Sequence, residues 1–277
     1  MKTLITRTKT ALIFVAVVLA GVWLHVWTFG LLMLAVMLLS FWEFFKLYAA
    51  DLQNSKFAKY YVFFAMFIGM FGFVATFPET QHILGSNEYV LILLSPFLLI
   101  VAELFSHSER PLQNIGLTFL AVITIALPIW MLNTVLIKED NYQPVIPMGI
   151  LLLIWCNDAF AYLVGSAIGK HKIIPRISPG KTVEGTIGGI ICNFITAYLL
   201  TILFGVFSLQ HWMAIAVIVS VFATLGDWTE SMMKRSLQVK DSGNLLPGHG
   251  CMLDRFDAFF FAVPFVVAYL WWCGVYS

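Results

Sequence analysis

Apolar runs long enough to cross a bilayer recur along almost the whole chain. About 20 mostly apolar residues make one helical span. Stretches of that kind fall at roughly 10–25, 27–46, 58–78, 88–106, 113–136, 146–168, 184–207, 210–230 and 256–275. The pattern predicts an all-α, polytopic transmembrane protein of about nine spans. Only a short turn near His25 separates the first two spans. Fusing them would invert the side of every later loop.

The charges between the spans give the array a direction. With the N-terminus inside, the cytoplasmic segments hold Lys2, Arg7 and Lys9, then Lys46, Lys56 and Lys59, then Arg110. The later ones hold Lys170, Lys172, Arg176 and Lys181, then Lys234, Arg235, Lys240 and Arg255. Fifteen of the 16 Lys and Arg thus lie on one side, and only Lys138 lies on the other. The positive-inside rule therefore predicts a cytoplasmic N-terminus and an outer C-terminus, as for a multi-pass protein of the cell (inner) membrane. The start, with Lys2, Arg7 and Lys9 before an apolar run, is like that of a signal peptide. The second run from Trp27 favours a first helix that stays in the membrane.

Composition agrees. Of 277 residues, 60% are hydrophobic and 11% charged, with a mean hydropathy of +0.89. Soluble domains carry about 25% charged residues. The net charge of +1 says nothing about nucleic acid, but no basic domain stands out and no zinc-finger or RNP-type pattern appears, so no nucleic-acid partner is expected. Cys156, Cys192, Cys251 and Cys273 form no CxxC pair, so they read as reduced thiols in or near helices.

Polarity divides the chain. Residues 1–145 read as almost purely apolar spans without a motif. In residues 146–277, the candidate functional region, polar groups enter the spans, with charged loops at 169–183 and 231–255. Asp158, Glu184, Asp227 and Glu230 stand at the inner ends of spans six to eight. Ionisable groups in spans are costly and usually functional. Asn157, Asp158, Ala161, Tyr162, Gly165 and Gly169 make one small, polar stripe on span six. Its glycines read as close helix packing, whereas Asp158 needs a partner.

The first loop, Gly169 to Gly185, carries Lys170, Lys172, Arg176 and Lys181 beside Ser178 and Thr182, just before a helix N-terminus. Gly180-Lys181-Thr182 is like the end of a P-loop, but Pro175 stands where the earlier glycine should be. The loop reads equally as an anion site or as a headgroup-facing topology signal.

The second segment is richer. Asp227, Glu230, Ser231 and Lys234 share one helix face, followed by Arg235, Lys240 and Asp241. A turn-rich run then leads through His249 to Asp254, Arg255 and Asp257. Carboxylate oxygens suit Mg²⁺ together with substrate phosphates, and Lys and Arg suit phosphate oxygens. Asp254 or Asp257 could instead cap the last span. His249 lacks a second histidine nearby, which argues against a metal ligand.

Here the chain resembles the phosphatidate cytidylyltransferases, or CDP-diacylglycerol synthases. The family signature appears as Ser231, Lys234-Arg235, Lys240-Asp241, Ser242, Leu246-Pro247, His249-Gly250 and Asp254-Arg255-Phe256-Asp257. One position departs, since Cys251 stands where the family has a second glycine. A further block matches as Asn157-Asp158, Ala161-Tyr162, Gly165, Gly169-Lys170, Lys172, Ile177-Ser178-Pro179, Lys181-Thr182 and Glu184-Gly185. The resemblance covers roughly residues 156–257 and is of the bacterial type.

The resemblance implies that CTP and phosphatidate give CDP-diacylglycerol and pyrophosphate at a Mg²⁺ site, with K⁺ as a candidate second ion, in a homodimer. It implies Asp227 and Asp254 as metal ligands, with Asp257 beside them. Lys234, Arg235, Lys240 and Arg255 would act on phosphates. Lys172, Ser178, Lys181, Thr182, Glu184, Asp158, Ser231, Asp241 and His249 would hold or orient substrate. Rival readings are a secondary transporter, a CDP-alcohol phosphotransferase and a CTP-dependent lipid kinase. No repeat and no Asp-Gly-x-x-Ala-Arg run supports the first two.

Overall fold

A computed structural model describes residues 2–48, 55–80, 88–106, 108–239 and 251–276. Among these, a helix meets each apolar stretch: α1 (Lys2–Trp23), α2 (Val26–Tyr48), α3 (Ser55–Thr76), α4 (Glu88–Leu104), α5 (Pro111–Asn133), α6 (Val145–Ile168), α7 (Val183–Phe204), α8 (Leu209–Ser236) and α9 (Leu253–Trp272). Apolar side chains and lipid demand this, because backbone groups in hydrocarbon must bond within their own segment. Five described helices, α2, α5, α6, α7 and α8, are long and apolar enough to cross a membrane. Shorter apolar helices cover Thr10–Trp23, Tyr60–Thr76 and Val90–Leu104. The protein is an all-α, polytopic transmembrane protein.

The break between α1 and α2 has a local cause. His25 Nδ1 accepts the N–H of Trp27 at 3.2 Å, and Thr28 Oγ1 accepts the N–H of His25 at 3.1 Å. This reciprocal pair starts a new helix in the manner of a capping box.

Two compact units divide the chain: Met1–Tyr142 with Asp241–Leu253, and Gln143–Lys240 with Asp254–Ser277. In the first unit, α2 buries Phe29, Met33, Met37, Phe41, Phe44 and Phe45 at helical spacing. Trp130 of α5 donates its Nε1–H to the carbonyl of Gly69 in α3 at 3.0 Å. A π turn at Val122–Ala126 interrupts α5 just before Pro128. Proline has no N–H and crowds the preceding turn, and the widened turn absorbs both effects. Beyond α5, a hairpin pairs β1 (Ile137–Lys138) with β2 (Asn141–Tyr142). Its turn residues Glu139 and Asp140 take φ of 50° and 62°, the left-handed pair that suits a two-residue hairpin.

The first unit also holds a few buried polar side chains, Glu43, Glu103, Asn114 and Asn133, within its mostly apolar helices. Tyr61 donates its hydroxyl to Glu103, and Asn114 Nδ2 donates to Glu103 Oε1 at 3.0 Å. Glu43 accepts the N–H groups of Met252 at 2.9 Å and Leu253 at 2.8 Å. Single polar residues in an apolar run look incidental until the fold supplies their partners.

In the second unit, α6 and α7 touch through small residues. A Cβ at Gly185 would lie 2.5 Å from the carbonyl oxygen of Ala161 and 3.1 Å from the Cα of Gly165. Only glycine permits that approach. Thr182 caps α7 by accepting the N–H of Gly185 at 3.1 Å, and Gly205, at φ 62°, ends it. Asn193 of α7 donates to Ser220 Oγ of α8 at 2.9 Å. Phe222 of α8 stacks on Phe265 of α9 with ring centroids 3.5 Å apart.

Candidate functional site: a cavity lined by carboxylates

Helix α8 outruns the expected end near residue 230 and continues to Ser236. Glu230 and Lys234 pair at i, i+4, and Lys234 and Arg235 sit in the last turn. Both features stabilise a helix C-terminus. Asp227 therefore sits more than two turns inside the helix. At its neighbour Gly226, α9 comes close. A Cβ there would lie 2.6 Å from Phe261 Cβ and 3.0 Å from the carbonyl oxygen of Asp257. That approach sets the first turn of α9 against the acidic face of α8.

The result is a cavity of about 690 Å³ in the second unit, within the range of roughly 300–1,000 Å³ common for small-molecule sites. Of the residues expected at the site, Asp158, Lys172, Lys181, Thr182, Asp227, Asp254 and Asp257 line it. Asn157, Gly165, Thr186 and Thr224 are among its other lining residues. Ser178, Glu184, Ser231, Lys234, Arg235 and Arg255 are not among its lining. Lys240, Asp241 and His249 lie outside the described residues.

Carboxylate oxygens of Asp227, Glu230 and Asp257 all lie within 4.8 Å of one another. Like charges at such a distance repel by about 3 kcal/mol per pair at an effective dielectric of 20, so the group calls for cations. Lys181 ion-pairs with Asp227 and also lies over the Trp228 ring, 5.7 Å from its centroid. Lys234 Nζ lies 2.9 Å from Glu230 and 3.5 Å from Asp254. Asp257 accepts the N–H of Ala258 at 2.6 Å. Three hard oxygen donors brought together in this way fit a divalent ion such as Mg²⁺.

The resemblance implied Asp227 and Asp254 with Asp257 beside them, whereas the acidic group found among the described residues is Asp227, Glu230 and Asp257. Glu230 was visible at i+3 from Asp227 and among the ionisable groups at the span ends, but the resemblance did not mark it as a metal ligand. Asn157 was visible in the polar stripe of span six, whereas Thr224 gave no separable signal.

The loop after α6 is held flat as a strap. Val183 donates its N–H to His171 O at 2.9 Å, and Lys172 bridges to Thr182. Glu184 accepts the N–H of Lys170 at 3.0 Å and of His171 at 3.2 Å, and meets His171 Nδ1 at 2.6 Å. Its carboxylate fastens the strap that carries Lys172 and Lys181. Ser178 closes a turn in the strap, donating its backbone N–H to Ile174 at 3.0 Å.

Fold and cavity together define a helical membrane protein whose polar chamber is built by carboxylates and lysines on α6, α8, α9 and the strap. The chain belongs to the cytidylyltransferase family, whose sequence model matches residues 5–273. It is 49% identical over 115 residues to the phosphatidate cytidylyltransferase of Staphylococcus haemolyticus (strain JCSC1435), covering 41% of this chain and 44% of that protein. Identity to the phosphatidate cytidylyltransferase of Staphylococcus aureus (strain COL) is 50% over the same length and shares. For the phosphatidate cytidylyltransferase of Bacillus subtilis (strain 168) it is 37% over 179 residues, 64% of each chain. The match thus spans less than half the length of the staphylococcal relatives.

Proposed function

We propose that the protein transfers the cytidylyl group of CTP to phosphatidate, giving CDP-diacylglycerol and pyrophosphate for phospholipid synthesis. The observation that carries this reading is the meeting of Asp227, Glu230 and Asp257 within 4.8 Å, with Asp227 and Asp257 lining a cavity that Lys172 and Lys181 also line. Family membership and the names of the relatives support the substrates.

In this reading an oxygen of the lipid phosphate attacks the α-phosphorus of CTP. The bond from that phosphorus to the bridging oxygen breaks, and its electron pair leaves with pyrophosphate. The lipid phosphate is already an anion near neutral pH, so no strong base is required. Positioning and charge neutralisation carry such transfers. Asp227, Glu230 and Asp257 would hold a Mg²⁺ ion, with Asp254 beside them, and the ion would offset the charge of the polyphosphate. Lys172, Lys181 and Lys234 neutralise phosphate oxygens as pyrophosphate departs. Arg235 and Arg255, which do not line the cavity, would act on phosphates of the bound substrates. Thr182 and Asp158 orient the nucleotide from the cavity wall.

The same reading has nine spans, the N-terminus and the active site in the cytoplasm, and the cell membrane as location. CTP is a cytoplasmic solute and phosphatidate stays in the leaflet, so a cytoplasmic cavity serves both. Residues 1–145 would form the homodimer or lipid-access region, and residues 146–277 the catalytic region.

The test is radiolabelled CTP with phosphatidate and Mg²⁺, with and without chelator. CDP-diacylglycerol and pyrophosphate are expected only with the ion. Release of CDP with a phosphorylated lipid would make the protein a kinase and overturn the reading.

A further inference from the structure

Glu43 lies on α2, in the half of the chain that carries no motif. Its side chain is 1% exposed, and a carboxylate so deeply buried needs strong partners. It accepts the backbone N–H groups of Met252 at 2.9 Å and Leu253 at 2.8 Å, both bonds lying within the first unit. Leu253 is the first residue of α9. The opening N–H groups of a helix have no partner inside it and carry the positive end of its dipole. Glu43 supplies two acceptor oxygens, one for each N–H. Cys251 and Leu253 are buried on either side of this anchor. Cys251 is not one of the described non-glycine residues with left-handed backbone, so it fits the turn that precedes the helix.

The next residues along the chain are Asp254 and, one turn on, Asp257, whose carboxylate belongs to the cluster with Asp227 and Glu230. We infer that Glu43 is a positioning residue: by fixing the first N–H groups of α9, it sets the height and rotation at which Asp254 and Asp257 reach the metal cluster. The inference rests on the reading of that cluster as a divalent-ion site. Neutral glutamine keeps the size of the side chain but offers one acceptor oxygen, and its amide N–H₂ faces the second backbone N–H. The helix start then loses one bond and gains a clash of donors.

The test uses the full chain in detergent, comparing wild type with Glu43→Gln, Glu43→Asp and a control, Glu103→Gln. Glu103 is also a buried glutamate of the first unit, but it bonds Tyr61 and Asn114. Mn²⁺ binding is read by electron paramagnetic resonance without substrates, and CDP-lipid formation is followed against Mg²⁺ concentration. Glu43→Gln should weaken Mn²⁺ binding about tenfold or more, the usual effect of losing a group that orients a ligand. The Mg²⁺ concentration for half activity should rise by the same factor, while the rate at saturating Mg²⁺ stays near that of wild type. Glu43→Asp should recover part of the affinity. An unchanged Mn²⁺ titration in Glu43→Gln, or an equal shift in Glu103→Gln, would overturn the inference, the second because it would reveal general loosening. A wild type that binds Mn²⁺ but makes no CDP-lipid would sink the proposed substrates and leave the role of Glu43 intact.

Discussion

Lys234 Nζ on α8 and Asp254 Oδ1 at the start of α9 face each other across 3.5 Å. The same ammonium lies 2.9 Å from Glu230. The side chains of Lys234, Glu230 and Asp254 are only 13%, 10% and 17% exposed. One cation thus holds two sheltered carboxylates, one from each helix. Removing one member of such a group leaves the others uncompensated, at a cost of about 3 kcal/mol. Lys234→Met should therefore unfold at clearly lower temperature in detergent, while Lys234→Arg should stay close to wild type. Thermal unfolding followed by tryptophan fluorescence measures both.

The acidic group makes a graded prediction. Asp227→Asn and Asp257→Asn should each lower turnover by at least about a hundredfold, the scale of losing a charge-stabilising group. Size-exclusion behaviour should not change. Asp254→Asn should cost less in metal affinity, because Asp254 faces Lys234 and lies outside the closest trio. Mn²⁺ titrations of the three variants order them. Equal affinity losses at Asp254 and Asp257 would contradict the grouping.

Much of this architecture was legible in the chain. Every described helix answers an apolar run, because in a bilayer the run itself dictates the helix. Asp227, Asp254 and Asp257 were legible as chemistry, since carboxylates near spans are costly. Which of them gather was not legible. That depends on how α9 is rotated against α8, and the rotation is set by the close approach at Gly226. The extra length of α8 follows from one i, i+4 pair and two basic residues, features too small to move a hydropathy boundary. Glu43 and Glu103 were lost inside apolar runs. Of their partners, Met252, Leu253 and Tyr61 are far away in sequence, and Asn114 lies on the next helix.

Glu184 offers a test of the strap. Its carboxylate holds the N–H groups of Lys170 and His171 together with the His171 ring. Glu184→Ala removes all three bonds and frees one end of the segment bearing Lys172 and Arg176. Local opening then becomes easier while the helices stay intact. Limited trypsin digestion should cut after Lys172 or Arg176 several times faster than in wild type. An unchanged digestion rate would show that the bridge between Lys172 and Thr182 holds the strap alone.

Gly226 and Gly116 separate packing from helix propensity. Both lie in helices, where replacing glycine by alanine favours the helix by roughly 1 kcal/mol. Nothing lies within 4 Å of a Cβ at Gly116, so Gly116→Ala should raise stability by about that amount. At Gly226 the new methyl would meet Phe261 Cβ at 2.6 Å, Asp257 O at 3.0 Å and Ala258 Cα at 3.3 Å. Two of these are backbone atoms and cannot rotate aside. Overpacking of this kind costs about 1–3 kcal/mol, which outweighs the gain in propensity. Gly226→Ala should therefore lower the unfolding temperature while Gly116→Ala raises it. It should also lower turnover, because the displaced backbone carries Asp257 away from Asp227 and Glu230. If Gly226→Ala kept full turnover and metal affinity, the close approach of α8 and α9 would have no part in assembling the site.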